Sequence, residues 1–91
     1  MIEGMVIQVL APNRAVISVG TADGVSDEMI FAVCFARSVD APEKCRIGVI
    51  AAERYQTVCE ATELPLPNIV VVGDYVHEVV GPLYVEPGRS D

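Results

Sequence analysis

RAVISVGTADGVSDEMIFAVCF, residues 14–35, is the stretch that decides the fold of this chain. Two runs rich in β-branched and aromatic residues flank GTADG, residues 20–24, and glycine and aspartate at that spacing are typical of turns. The pattern predicts two strands joined by a wide loop, with left-handed backbone at Gly20, at Gly24 or at both. Val25 is apolar within this loop, and we expect it to tuck under the barrel as a plug.

The rest of the chain has the same design of short apolar runs between turn-forming residues. A turn over 11–14 is too short for a crossover, so the strands on either side of it must be antiparallel. The run 29–36 is apolar on both faces, so either both are covered or one is an interaction surface. The predicted strands are 5–10, 14–19, 29–36, 45–52, and the run 69–72 that continues past Gly73 as 75–80.

Two places in these runs are ambiguous. Residues 51–64 have good helix propensity, and a short helix near 51–62 is the alternative to the strand–turn–strand arrangement that we favour. Gly48 lies inside the strand predicted over 45–52, where a glycine often marks a bulge or a sharp bend. About six short strands with frequent turns predict an all-β fold, a small antiparallel β-barrel. We expect residues 1–85 to form this single domain and residues 86–91 to form a flexible tail.

The composition bounds the classes of partner. The formal net charge is −7, and one lysine and five scattered arginines do not make the clustered basic surface that nucleic acid requires. No apolar run approaches the ~18–20 residues of a membrane span, and the N-terminus shows no basic leader of a signal peptide. We therefore expect no membrane span, and a cytoplasmic location by default.

Few residues suggest chemistry. The three cysteines, Cys34, Cys45 and Cys59, include no C-x-x-C pair, so neither a zinc site nor a redox motif is indicated. The single histidine, His77, would lie on the opposite strand face from Glu78, so we interpret it as a surface residue. No catalytic residue, cofactor or metal is predicted, and the chain is expected not to be an enzyme.

Three segments together carry a family resemblance: VISVGTADGVSDEMIFAV (16–33), IGVIAAERYQTVCEA (47–61) and VVVGDYV (70–76). They resemble the C-terminal domain of flagellar assembly protein T and, more distantly, the β-domains of rod-shape-determining protein C. The resemblance implies a non-enzymatic β-barrel module in envelope or appendage assemblies, with Gly73 and Asp74 forming a turn before the last strand.

Function is therefore expected to lie in contacts with other proteins. We predict a protein-interaction or structural assembly module, with self-assembly into a homo-oligomer or a protein partner. A small barrel that binds a ligand or nucleic acid on one face is the alternative. The residues predicted to form the interaction surface are Asp23, Ile30, Phe31, Phe35 and Asp40.

Overall fold

A computed structural model describes residues 1–61 and 69–79 and shows a closed antiparallel barrel of six strands. The all-β barrel predicted from the sequence is confirmed. The predicted tail, 86–91, lies outside the described residues. No helix among the described residues is long and apolar enough to cross a membrane. The strands are β1 (Glu3–Leu10), β2 (Arg14–Ile17), β3 (Ile30–Cys34), β4 (Glu43–Ala52), β5 (Thr57–Glu60) and β6 (Tyr75–Glu78).

The barrel closes in the order β1-β2-β5-β4-β3-β6, and every neighbouring pair is antiparallel. Strands β3, β4 and β5 form a meander, and β6 returns beside β3, which is the Greek-key arrangement. Its other edge pairs with β1, where Tyr75 lies opposite Met5 and His77 opposite Glu3. The short strand β6 therefore joins the two halves of the barrel, and the closed sheet leaves no free edge.

Inward-facing side chains fill the barrel with an apolar core. Phe31 and Val33 of β3 lie in it without solvent exposure, and Val25 packs against it from the β2–β3 loop, as the sequence predicts. The other face of β3 is also covered, because Ala32 and Cys34 form a smaller buried cluster with Tyr75. Both faces of the middle of this strand are thus buried.

Three β-bulges shift the alternation of the strands. Val6 pairs with Ile17 and Gln8 with Val16, so Ile7 is an extra residue, and both Val6 and Val9 contact the core. Regular alternation would place Val6 and Val9 on opposite faces of β1, and the bulge brings both to the core. In β4, the extra residues are Lys44 and Ile50. The bulge expected at Gly48 is absent, because Gly48 keeps regular pairing with Ile30 and Glu60.

The GTADG loop docks on the turn between β4 and β5. The N–H of Thr21 donates to the carbonyl oxygen of Glu53 at 2.8 Å. Gly24 has a φ of 99°, the left-handed backbone expected there, whereas Gly20 has a φ of −147°, which any residue adopts. Gly20 is required for space, since a Cβ on it would lie 2.1 Å from the Glu53 carbonyl oxygen. The hairpin under this loop confirms strand–turn–strand over 51–61, and no helix forms there.

The segment 69–74 is a loop, and the strand predicted over 69–72 is wrong. Val70 is buried in the core and Ile69 packs against it, whereas Val71 and Val72 are exposed, so only the first half of the β-branched run contacts the core. The Asp74 carboxylate accepts hydrogen bonds from the Val71 N–H and the Lys44 ammonium, both at 2.9 Å. Lys44 also donates to the Ile69 carbonyl oxygen at 2.9 Å. These contacts fix the loop directly before β6.

We expect Gly20→Ala to lower the free energy of unfolding by more than about 2 kcal/mol, because the added methyl group overlaps backbone atoms of the Glu53 turn. Gly48→Ala is the matched control, since no atom of residues 1–61 and 69–79 lies within 4 Å of its added Cβ. That change should stay within about 0.5 kcal/mol of the parent. Urea unfolding followed by circular dichroism measures both, and equal losses would contradict the close approach at Gly20.

Asp74→Asn should destabilise the barrel by about 3 kcal/mol, because it leaves the Lys44 ammonium unpaired in a nearly buried place. The side chains of Lys44 and Asp74 are only 12% and 11% exposed. Glu60→Gln is the control, since its contact with Arg14 is 3.6 Å long and solvated, and removal should alter stability by less than about 1 kcal/mol. A loss at Asp74 no larger than at Glu60, in the same unfolding assay, would refute this role.

Candidate interaction surface

The structure separates the residues predicted to form one interaction surface. Phe31 is a core residue without solvent exposure, so its assignment to a surface is wrong. The sequence could not show which face of β3 points inward, because both faces are apolar. Ile30 and Phe35 are exposed, at 46% and 68%, but they lie at opposite ends of β3.

The two predicted loop residues also lie apart. Asp23 lies in the loop before β3, and Asp40 lies in the loop after it, so they belong to opposite ends of the barrel. The Asp23 carboxylate accepts a hydrogen bond from the Gly20 N–H at 3.0 Å, which gives this residue a role in the turn. The five predicted residues therefore do not form a single surface.

Phe35 contacts the Lys44–Asp74 ion pair. The Lys44 ammonium nitrogen lies 5.4 Å from the centroid of the Phe35 ring, within the range of a cation–π contact. The backbone N–H of Phe35 donates to the Pro42 carbonyl oxygen at 3.0 Å, which fixes the backbone that carries the ring. The exposed Phe35 thus has a structural partner within the barrel.

An apolar surface covers the outer side of β3, β4, β5 and β2, and we call it the Gly48 face. The register places Ile30 beside Gly48, Ala51 beside Val58, and Val58 beside Val16. All of these side chains point away from the core, because their strand neighbours Phe31, Ile47 and Cys59 point into it. The face consists of Ile30, Gly48, Ile50, Ala51 and Val58, with Glu60 directly beside Gly48 and with Val16 buried at its edge.

The shape of the Gly48 face is a notch between two apolar side chains. Among the residues that the structure describes, no atom lies within 4 Å of where a Cβ of Gly48 would be, so they leave the surface open at that point. Ile30 on the adjacent strand and Ile50 two residues along β4 are 46% and 42% exposed. Ile50 reaches the surface because it is the extra residue of a bulge.

The charges that border the Gly48 face neutralise one another. Arg14 and Glu60 approach to 3.6 Å on one side. On the other side, Arg46 donates to the Glu43 carboxylate at 2.9 Å, and this hydrogen bond holds the pKa of Glu43 below its ordinary value. The face and its border are thus close to neutral on a chain whose net charge is −7.

The outer side of β6 and the first residue of β1 carry polar side chains, whereas Met5 and Ile7 farther along β1 are exposed. The Tyr75 hydroxyl donates to the Glu3 carboxylate at 2.8 Å, and burial, followed by this hydrogen bond, raises the pKa of Tyr75. His77 is only 8% exposed, so its interpretation as a surface residue is wrong. It lies between Glu3 and Ala32 in the sheet, and its ring centroid is 5.8 Å from that of Tyr75. Its Nδ1 is 3.0 Å from the Glu78 carbonyl oxygen, and its buried Nε2 has no hydrogen-bond partner among the described residues.

The cysteines do not have the environment of nucleophiles. All are free, with Cys34 and Cys59 buried. Burial raises the pKa of the Cys59 thiol to about 12, and burial is also the main cause of the raised pKa values of Cys34 and Cys45. A nucleophilic thiolate needs the opposite shift. Within 1–61 and 69–79, no group of three or more histidine, cysteine or acidic side chains is arranged to hold a metal ion.

At pH 8, the folded chain should react with a disulfide reagent such as Ellman's reagent at least about 100-fold more slowly than the unfolded chain, because raised pKa values keep the thiols protonated and burial excludes the reagent. Release of thionitrobenzoate follows the reaction, and all three cysteines should react after denaturation. Cys59→Ala serves as the control that assigns the slowest phase. A fast phase in the folded chain would reveal an activated cysteine.

The Gly48 face is not among the predictions from the sequence, although one feature of the sequence indicates it. Gly48 and Ile50 lie together in an otherwise regular strand pattern, where the glycine by itself predicts a bulge or a sharp bend. No protein-family model matches this chain, and no curated protein matches it either. The resemblance to flagellar assembly protein T stays a prediction, and the function is inferred from the residues themselves.

Proposed function

We propose that this barrel is a non-enzymatic protein-interaction module that binds its partner through the Gly48 face. The observation that carries the proposal is the exposure of Ile30 and Ile50 on either side of an open glycine. Single exposed aliphatic side chains are ordinary on protein surfaces, but two half-exposed isoleucines grouped on one face favour contact with a partner.

The energetic gain from covering this face is substantial. Fully burying an isoleucine side chain is worth about 1.5–3 kcal/mol, so covering the exposed halves of Ile30 and Ile50 contributes about 2 kcal/mol together. Val58 and Ala51 add smaller apolar areas at the same contact. Part of this gain is offset by desolvation, because Glu60 of the Arg14–Glu60 pair lies directly beside Gly48.

The charge distribution supports a protein partner over nucleic acid. Arg14, Lys44 and Arg46 are all engaged with carboxylates, and these pairs would have to break before the cations contact phosphates. The resemblance to modules of envelope and appendage assemblies implies the same class of function. An assembly role of this kind needs a docking face and no catalytic group.

A photoreactive residue tests this proposal by position. Replacing Ile50 with p-benzoylphenylalanine, in cells that make the chain from its own gene, should give a discrete cross-linked protein adduct after irradiation. Mass spectrometry identifies the protein in the adduct. The control places the same residue at Val72, which is 64% exposed and lies on the loop before β6, away from the Gly48 face.

A second substitution tests whether the adduct formed at position 50 depends on the Gly48 face. Ile30→Asp introduces a charge beside Gly48 and should remove the adduct formed at position 50, while the barrel stays folded because Ile30 points outward. Adducts of equal yield at positions 50 and 72, or none at position 50, would contradict docking through this face.

A further inference from the structure

We propose that protonation of His77 opens the barrel at β6, so that mild acid favours release of this strand from β1 and β3. The inference concerns the response of the fold to pH, and it does not depend on the Gly48 face. Three observations support it: the position of the hydrogen on the ring, the engagement of the surrounding charges, and the burial of the side chain.

The contacts of His77 fix the position of the hydrogen on the neutral ring. Its Nδ1 lies 3.0 Å from the Glu78 carbonyl oxygen. A carbonyl oxygen only accepts hydrogen bonds, so Nδ1 carries the hydrogen and Nε2 has the lone pair. Nε2 is buried, and no described residue forms a hydrogen bond with it. The next proton that the ring binds must therefore go to a buried nitrogen.

The charged groups near the ring are engaged with other partners. Strand pairing places six titratable or charged residues around His77, and they are Glu3 of β1, Cys34 of β3, Glu43 and Arg46 of β4, and Tyr75 and Glu78 of β6. Glu3 accepts a hydrogen bond from the Tyr75 hydroxyl, and Glu78 accepts one from a backbone N–H. Glu43 accepts two from Arg46. A carboxylate that turned to the ring would leave its present donor without a partner.

A positive charge on this ring is costly in the closed barrel. His77 is 8% exposed, and a buried charged donor without an acceptor costs more than an unpaired neutral group. Attraction to the exposed carboxylates of Glu3 and Glu43 is screened by solvent and opposed by Arg46. The ring gains water when β6 separates from its neighbours, and β6 has only four residues to hold it in place.

The size of the pH effect follows from the open form, in which the ring is solvated. A solvated histidine takes up a proton near pH 6.5. Because the closed form does not accommodate this proton, the equilibrium constant for opening should rise about 10-fold between pH 7.5 and 5.5. His77 is the only histidine of the chain, so no second imidazole contributes. The open form offers the edges of β1 and β3 for pairing with another strand.

Backbone amide hydrogen exchange, measured by NMR at pH 7.5 and 5.5 and expressed as protection factors, tests the proposal. The probes are the N–H groups of Glu78 and Val79, which donate to the carbonyl oxygens of Ile2 and Ile30. Their protection should fall about 10-fold at the lower pH. His77→Gln has a polar side chain that does not titrate, and it should abolish this fall. His77→Phe replaces it if the glutamine variant does not fold.

Each outcome decides the proposal. Protection of Glu78 and Val79 that is unchanged at pH 5.5 overturns it, and so does an equal fall in the parent and the His77 variant. Protection that rises at pH 5.5 also overturns it, because this means that Glu3 turns to pair with the charged ring. Ring ¹⁵N spectra at pH 7.5 should show the hydrogen on Nδ1, and a hydrogen on Nε2 would remove the basis of the proposal. Cross-linking at position 50 tests the Gly48 face separately, so failure here leaves the proposed function intact.

Discussion

The contact between Lys44 and Asp74 is the one on which barrel closure depends. Lys44 is the extra residue of a bulge in β4, so its side chain can leave the regular alternation and reach the loop before β6. The Asp74 carboxylate accepts hydrogen bonds from both the Lys44 ammonium and the Val71 N–H, which sets the direction of the chain as it enters β6. Because β6 is the strand between β1 and β3, one nearly buried ion pair positions the element that completes the sheet.

The outer surface of the barrel divides into two regions of different chemistry. Around β6, polar side chains find partners within the chain, as Tyr75 does with Glu3. On the Gly48 face, by contrast, apolar side chains remain uncovered and the bordering charges are already paired. The charged side chains at this surface are paired with one another, whereas its isoleucines are exposed to solvent. Such a surface is suited to burial against another protein, since burial there desolvates few ions.

The barrel class could be predicted from the sequence, because alternating apolar residues between turn formers have few other solutions. The plug at Val25 and the hairpin over 51–61 followed from the same local patterns. Side-chain direction could not be predicted reliably, since each bulge reverses the alternation and a bulge has no residue signature of its own here. The burial of Phe31 and His77 depends on which strands lie next to theirs, and strand order is a property of the whole chain.

The pairing of β6 with β1 has a consequence for synthesis of the protein. Residues 75–77 lie opposite residues 3–5, so the sheet cannot close until nearly all of its strands have left the ribosome. Until then β1 and β3 each present a free edge, and such edges are the surfaces on which nascent chains aggregate. Contacts between residues this distant in sequence also form slowly. The net negative charge of the chain therefore matters during translation. Like charges on incompletely synthesised chains repel one another, and this repulsion opposes contact between their open strand edges.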